Sequence, residues 1–145
     1  MSEPEPMDTE AAIDALNGAL RLQYRSALQY LVASGGSTGA HAFAVAEELW
    51  RFAEAEFADA RRLVSKIVAL GGEPVVEIEP LERPEEFEGA LESLIDNETA
   101  ALEALAEVIP HTGHGPKSEA LEHLVEHSIL RKQDQVDVLT RALGR

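Results

Sequence analysis

Six polar residues interrupt stripes that otherwise read apolar: Gln23, Glu56, Asp59, Glu98, Lys132 and Gln135. Followed at helical steps of three and four, a first stripe runs Leu16, Leu20, Gln23, Ala27, Tyr30, and a second runs Leu49, Phe52, Glu56, Asp59, Leu63, Ile67. A third runs Leu91, Leu94, Glu98, Leu102, Leu105, and a fourth runs Val125, Ser128, Lys132, Gln135, Leu139. Each stripe is broken at one level. Carboxylates are costly to bury unless they are paired or bound to a metal, so Glu56, Asp59 and Glu98 on core stripes call for a positive partner. Three readings stay open. One divalent ion binds the three carboxylates with neutral help from Gln23 or Gln135; the Lys132 ammonium replaces the metal through charge-assisted hydrogen bonds; or burial keeps one carboxyl protonated. The empty set sums to −3 + 1 = −2. An ammonium is a poor neighbour for a cation and glutamine a weak ligand, which ranks the ammonium reading first.

Other chemistry-bearing residues read more plainly. His123 and His127 stand four apart near Glu119, Glu122 and Glu126, a spacing that can grip an ion, but on the face opposite the Leu121, Val125, Ser128 stripe. That face is expected to be solvated. His41 stands at a helix start and His111 and His114 in a Gly-Pro loop, and Arg61 and Arg62 read as rim salt-bridge partners. Trp50, Tyr24 and Tyr30 read as packing or subunit-contact residues. The absence of cysteine excludes disulfides, zinc-thiolate sites and iron-sulfur clusters. A net charge of −15 repels phosphate backbones and anionic lipid, so neither nucleic acid nor membrane is expected as a partner. The start MSEPEPMDTE has no basic flank or apolar stretch, and no run reaches bilayer length, which predicts a soluble, cytoplasmic protein.

The elements that must position the polar level are helices. All seven prolines lie outside three stretches rich in Ala, Leu, Glu and Arg, and Gly35-Gly36-Ser37-Thr38-Gly39 divides the longest. Helices are predicted near 9–34, 40–70, 85–109 and 118–143, with Asp8 or Thr9 capping the first and Pro84, Glu85 and Glu86 opening the third. Residues 1–8 are expected to form a disordered tail, and 9–145 one domain. The segment from Gly72 to Arg83 has no second strand to pair with; fully extended at about 3.3 Å per residue it spans the length of a bundle. Short turns elsewhere make two antiparallel hairpins joined by one long crossover between helices two and three.

At this point the residues resemble a family. LNGALRLQYRSALQYL looks like the first helix of the bacterioferritins, within the ferritin-like superfamily, and EFADARRLVSKIVALGGEP looks like their second. The resemblance implies an all-α, ferritin-like four-helix bundle. It also implies a site in which one glutamate from each of two helices and a Glu-x-x-His pair from each of the other two bind two irons. Gln23 stands at the first glutamate, Glu56-x-x-Asp59 at the first pair, Glu98 at the second glutamate and Lys132-x-x-Gln135 at the second pair, so Glu56 and Glu98 alone match. Tyr30 matches a family tyrosine beside the metals. Phe57 stands where haem-binding members carry methionine, which implies no haem.

The resemblance therefore implies iron binding or storage at a degenerate di-metal centre. Iron or another divalent metal would be held by Glu56, Asp59 and Glu98, no residue is assigned as catalytic, and ferroxidase activity is expected to be weak or absent. The alternatives are a catalytically inactive structural subunit whose buried carboxylates Lys132 neutralises, and a di-metal oxidase or oxygenase. Trp50, Phe52, Phe57 and Tyr24 are more large apolar groups than one inner stripe holds, so a homodimer or larger homo-oligomer is expected, or assembly with a catalytic ferritin-like partner. No fifth helix follows the fourth, which argues against a large cage.

Overall fold

The structure, a computed structural model, describes residues 6–145. Among the described residues there are four helices, α1 (Thr9–Gly36), α2 (Ala40–Ala69), α3 (Phe87–Ala106) and α4 (Pro116–Ala142), with a 3-10 turn at Ile109–His111. No strand occurs among the described residues. Asp8 caps α1, its side chain accepting from the Ala11 amide at 3.2 Å. Pro116 opens α4, where a missing donor costs nothing. The third helix starts at Phe87, because Pro84 and the two glutamates after it stay outside the first turn. The expected tail falls partly on residues 1–5, outside the described ones; of the rest, Met7 packs against the core and the Asp8 amide donates to the His111 carbonyl at 3.0 Å.

Gly71 ends α2 at φ +90, a conformation that favours glycine. Gly72 then lies so close to α1 that a Cβ there would sit 2.6 Å from Ile13 Cγ2. The crossover leaves this point as an extended segment with no neighbouring strand, so its backbone groups need other partners. Side chains of α1 supply them. Asn17 donates to the Glu73 carbonyl at 3.0 Å and accepts from the Val75 amide at 2.8 Å. Tyr24 donates to the Val75 carbonyl at 2.9 Å, and Gln29 donates to the Glu82 carbonyl at 2.8 Å while accepting from the Glu82 amide. Asn17 and Gln29 are about 18 Å apart along α1 at the usual helical rise, so the segment is fastened along the bundle.

The molecule is an all-α four-helix bundle of two antiparallel hairpins joined by the α2–α3 crossover. α1 packs on both α2 and α3, and α3 on α4, whereas α2 and α4 approach each other only sparsely. The apolar core is in two parts. One holds Leu16, Leu20, Leu63, Ile67, Leu105 and Leu121; the other holds Tyr30, Leu49, Leu91, Leu94 and Leu139. The polar level lies between them in each helix.

Candidate functional site

Each helix delivers its polar residue because the apolar residues on either side of it, at the same helical spacing, are buried in one or the other half-core. Gln23 and Tyr30 come from α1, Glu56 from α2, Glu98 from α3, Lys132 and Gln135 from α4, and all six are buried. Lys132 Nζ donates to Glu56 Oε2 at 2.6 Å and to Glu98 Oε1 at 3.0 Å. Gln135 Nε2 donates to Glu56 Oε1 at 2.8 Å and to Glu98 Oε2 at 2.7 Å. Gln23 Nε2 donates to Glu56 Oε2 and, at 2.9 Å, to the Glu56 carbonyl. The Tyr30 hydroxyl donates to Glu98 Oε2 at 3.2 Å. Every oxygen of both carboxyl groups therefore accepts at least one N–H or O–H. The Gln23 Oε1 atom, by contrast, is buried without a partner.

Asp59 is placed elsewhere. Although it is buried, it turns to the α2–α4 seam, where the Arg131 guanidinium grips both of its oxygens, Nε donating to Oδ2 at 3.1 Å and Nη2 to Oδ1. Arg62 Nη1 adds a bond to Oδ1 at 2.9 Å. The structure thus brings together five of the six expected residues, with Tyr30, and sets Asp59 in a separate ion triad. The physical reason is rotation: three residues along a helix turn the side chain by about 60° away from Glu56. Arg131 gave no signal of its own in the sequence, because it lies off the apolar stripe of α4. Among the described residues no group of three or more His, Asp or Glu side chains is arranged to hold a metal ion.

The electrostatics follow from the geometry. Burial, then the neighbouring Glu98 carboxyl, push Glu56 from an ordinary 4.5 up to about 8 against the pull of Lys132. Burial alone would lower the Lys132 ammonium, but the adjoining Glu56 and Glu98 outweigh it and raise it. The Tyr30 hydroxyl is held well above its ordinary value, first by burial and then by the carboxylates, so it stays a donor. Two carboxyl groups against one ammonium give −2 + 1 = −1, and one retained proton brings the cluster to neutrality.

The remaining candidates lie apart. His123 is 71% exposed, 3.6 Å from Glu119 on α4, and His127 is also exposed. His41, which the sequence leaves without a partner, stands edge-on to Phe87 and 3.6 Å from Glu88, tying the start of α2 to the start of α3. Arg62 is a salt-bridge partner as expected; no ion pair involves Arg61 among the described residues.

An antiparallel bundle with one long crossover and glutamates converging from facing helices is the architecture of the carboxylate-bearing four-helix proteins. The sequence agrees: residues 13–144 match the family described as the ferritin-like domain, and the chain belongs to it. A search of curated proteins finds no match. Among solved structures the chain is similar to a dodecameric thioferritin, the bacterioferritin-related protein of Bacteroides fragilis. That likeness has 23% identity and TM-score 0.84, covering 95% of this chain and 87% of that one. It is similar also to a ferritin-like diiron-carboxylate protein of Bacillus anthracis str. Ames (20%, 0.84, 99% of each chain). A third is the bacterioferritin of Rhodobacter capsulatus, with a metal-free dinuclear site and haem iron (21%, 0.77, 96% and 86%). These likenesses are of fold.

Proposed function

We propose that this chain is a bacterioferritin-related protein of iron handling in which the Lys132 ammonium stands in for the metals, making it a structural subunit without ferroxidase activity of its own. One observation carries the reading: Lys132 Nζ lies between Glu56 Oε2 at 2.6 Å and Glu98 Oε1 at 3.0 Å, fully buried. A di-metal centre needs carboxylate lone pairs, and here each oxygen already faces a donor. The two glutamines present amide N–H groups to the site rather than oxygens. Asp59, the third expected metal ligand, is engaged by Arg131 and Arg62. The donor set therefore does not fit a pair of irons or a single divalent ion, and the same obstacle stands against a di-metal oxidase.

The family and the iron-related neighbours support a role in iron binding or storage, and that role would reside in the assembly rather than in this cluster. Phe43, Trp50 and Phe57 recur every seven residues on α2 and are 87%, 41% and 43% exposed, a stripe that supports burial against a further subunit. A dodecameric neighbour supports a homo-oligomer. No helix is long and apolar enough to cross a membrane among the described residues, which accords with a cytoplasmic setting.

The test is elemental analysis of protein purified without chelators, followed by air oxidation of added ferrous ion. Absence of stoichiometric metal together with oxidation no faster than in buffer is expected. Two metals per chain with rapid oxidation would overturn the reading.

A further inference from the structure

Because α2 and α4 approach each other sparsely, a groove of about 510 Å³ lies along their seam. Arg61, Arg62, Ser65 and Lys66 line it beside the apolar Ala58 and Leu124. The chain has twelve Lys and Arg against twenty-seven Asp and Glu, yet three of the twelve meet here and no carboxylate lines the groove. Arg61 and Lys66 have no carboxylate partner among the described residues. Arg62 gives only Nη1 to Asp59, whose charge Arg131 also opposes, so its other N–H donors remain for the groove. Arg62 and Lys66, four residues apart, lie on one helix face with Ser65 between them.

We propose that this groove binds a small phosphate-bearing anion, the guanidinium and ammonium groups taking the oxyanion and the apolar residues taking a compact organic body. The donor types are those that recognise a tetrahedral oxyanion, with bidentate capacity from the arginines. Size separates this ligand from larger anions. At physiological ionic strength charges are screened over about 8 Å, so an ion inside the groove feels its three cations more than the remote acidic surface. A nucleic acid or an anionic bilayer must also approach that surface, which carries the excess of the −15 charge. The proposal goes beyond the ammonium reading and does not depend on it.

Inorganic phosphate and phenyl phosphate, titrated into the full chain in chloride buffer and followed by calorimetry and phosphorus NMR, test the site. Saturable binding of both is expected, with phenyl phosphate the tighter. The double variant Arg61→Ala, Lys66→Ala, and separately Ala58→Glu, should weaken both by about tenfold to a hundredfold, the loss expected for charge-assisted bonds. In the single chain Ala58 and Arg61 are exposed and Lys66 is half-buried on α2, and an unchanged melting temperature and sedimentation verify the fold and the assembly. Arg141→Ala, at the far end of α4, should leave binding unchanged. Failure of both probes to saturate, binding that survives both groove variants, or tighter binding to phosphatidylserine vesicles or duplex DNA than to phenyl phosphate would each overturn the site.

Discussion

Arg131 and Lys132 are consecutive on α4 and hold different carboxylates of α2: Lys132 Nζ reaches Glu56 at 2.6 Å, and Arg131 Nε reaches Asp59 at 3.1 Å. Successive residues on a helix diverge by about 100°, and Glu56 and Asp59 diverge by about 60°, so the two cations meet the two acids along separate directions. One pair is sealed inside the bundle. The other bridges α2 and α4 at the seam, with Arg131 37% exposed. The pairs therefore differ in what their loss should cost.

Lys132→Met leaves Glu56 and Glu98 facing each other without an ammonium. Removing one partner of a buried pair typically costs about 3–5 kcal/mol, so a strongly lowered melting temperature is expected at neutral pH. Lys132→Glu should be worse in chelator, since it gathers three carboxyl groups at one level. Added Fe(II), Mn(II) or Zn(II) should partly restore it. Thermal melts of both variants with and without metal decide; wild-type melting in both would refute the ammonium reading.

The Glu56 carboxyl is raised from an ordinary 4.5 to about 8, so the folded state binds the proton more tightly than the unfolded state. That contribution is complete below about pH 4.5 and is lost as pH rises towards 8. Wild-type stability should fall across this window, and Glu56→Gln, which cannot ionise, should lose the slope. Urea midpoints from pH 5 to pH 9 measure it. Equal slopes in the two proteins would show that Glu56 does not hold the proton.

At the seam a smaller effect is expected. Arg131→Met leaves Asp59 with Arg62 at 2.9 Å, and both arginines reach solvent, so the cost should be about 1–2 kcal/mol rather than that of a sealed pair. Asp59→Ala in the same background should then add little. A double-mutant cycle on chemical denaturation reads the coupling, and independent, additive losses would break the assignment of the pair.

On the outer stripe of α2, Trp50→Glu and Phe57→Glu should dissociate the assembly without lowering the helix content, because both side chains are already about two-fifths exposed in the single chain. Sedimentation at micromolar concentration checks this against the 15.7 kDa of one chain. A wild-type protein that sediments only as that species would remove the assembly.

Much of the fold was legible in the residues. Proline placement, the Gly35-to-Gly39 break and the three-four apolar spacing mark out four helices, and the crossover's length forces its direction. The same spacing puts Gln23, Glu56, Glu98, Lys132 and Gln135 at one height, since position along a helix axis follows from residue count alone. Partner choice does not follow from count. It depends on the rotation of each helix about its axis and on the distance between neighbours, which packing of the two half-cores sets. Only the tertiary structure could therefore turn Asp59 towards Arg131, open the α2–α4 seam into a basic groove, and give α1 side chains such as Asn17 and Gln29 the task of holding an unpaired strand-like segment. A rotation of about 60° moves a carboxylate from one partner to another without changing a single position of the hydrophobic pattern.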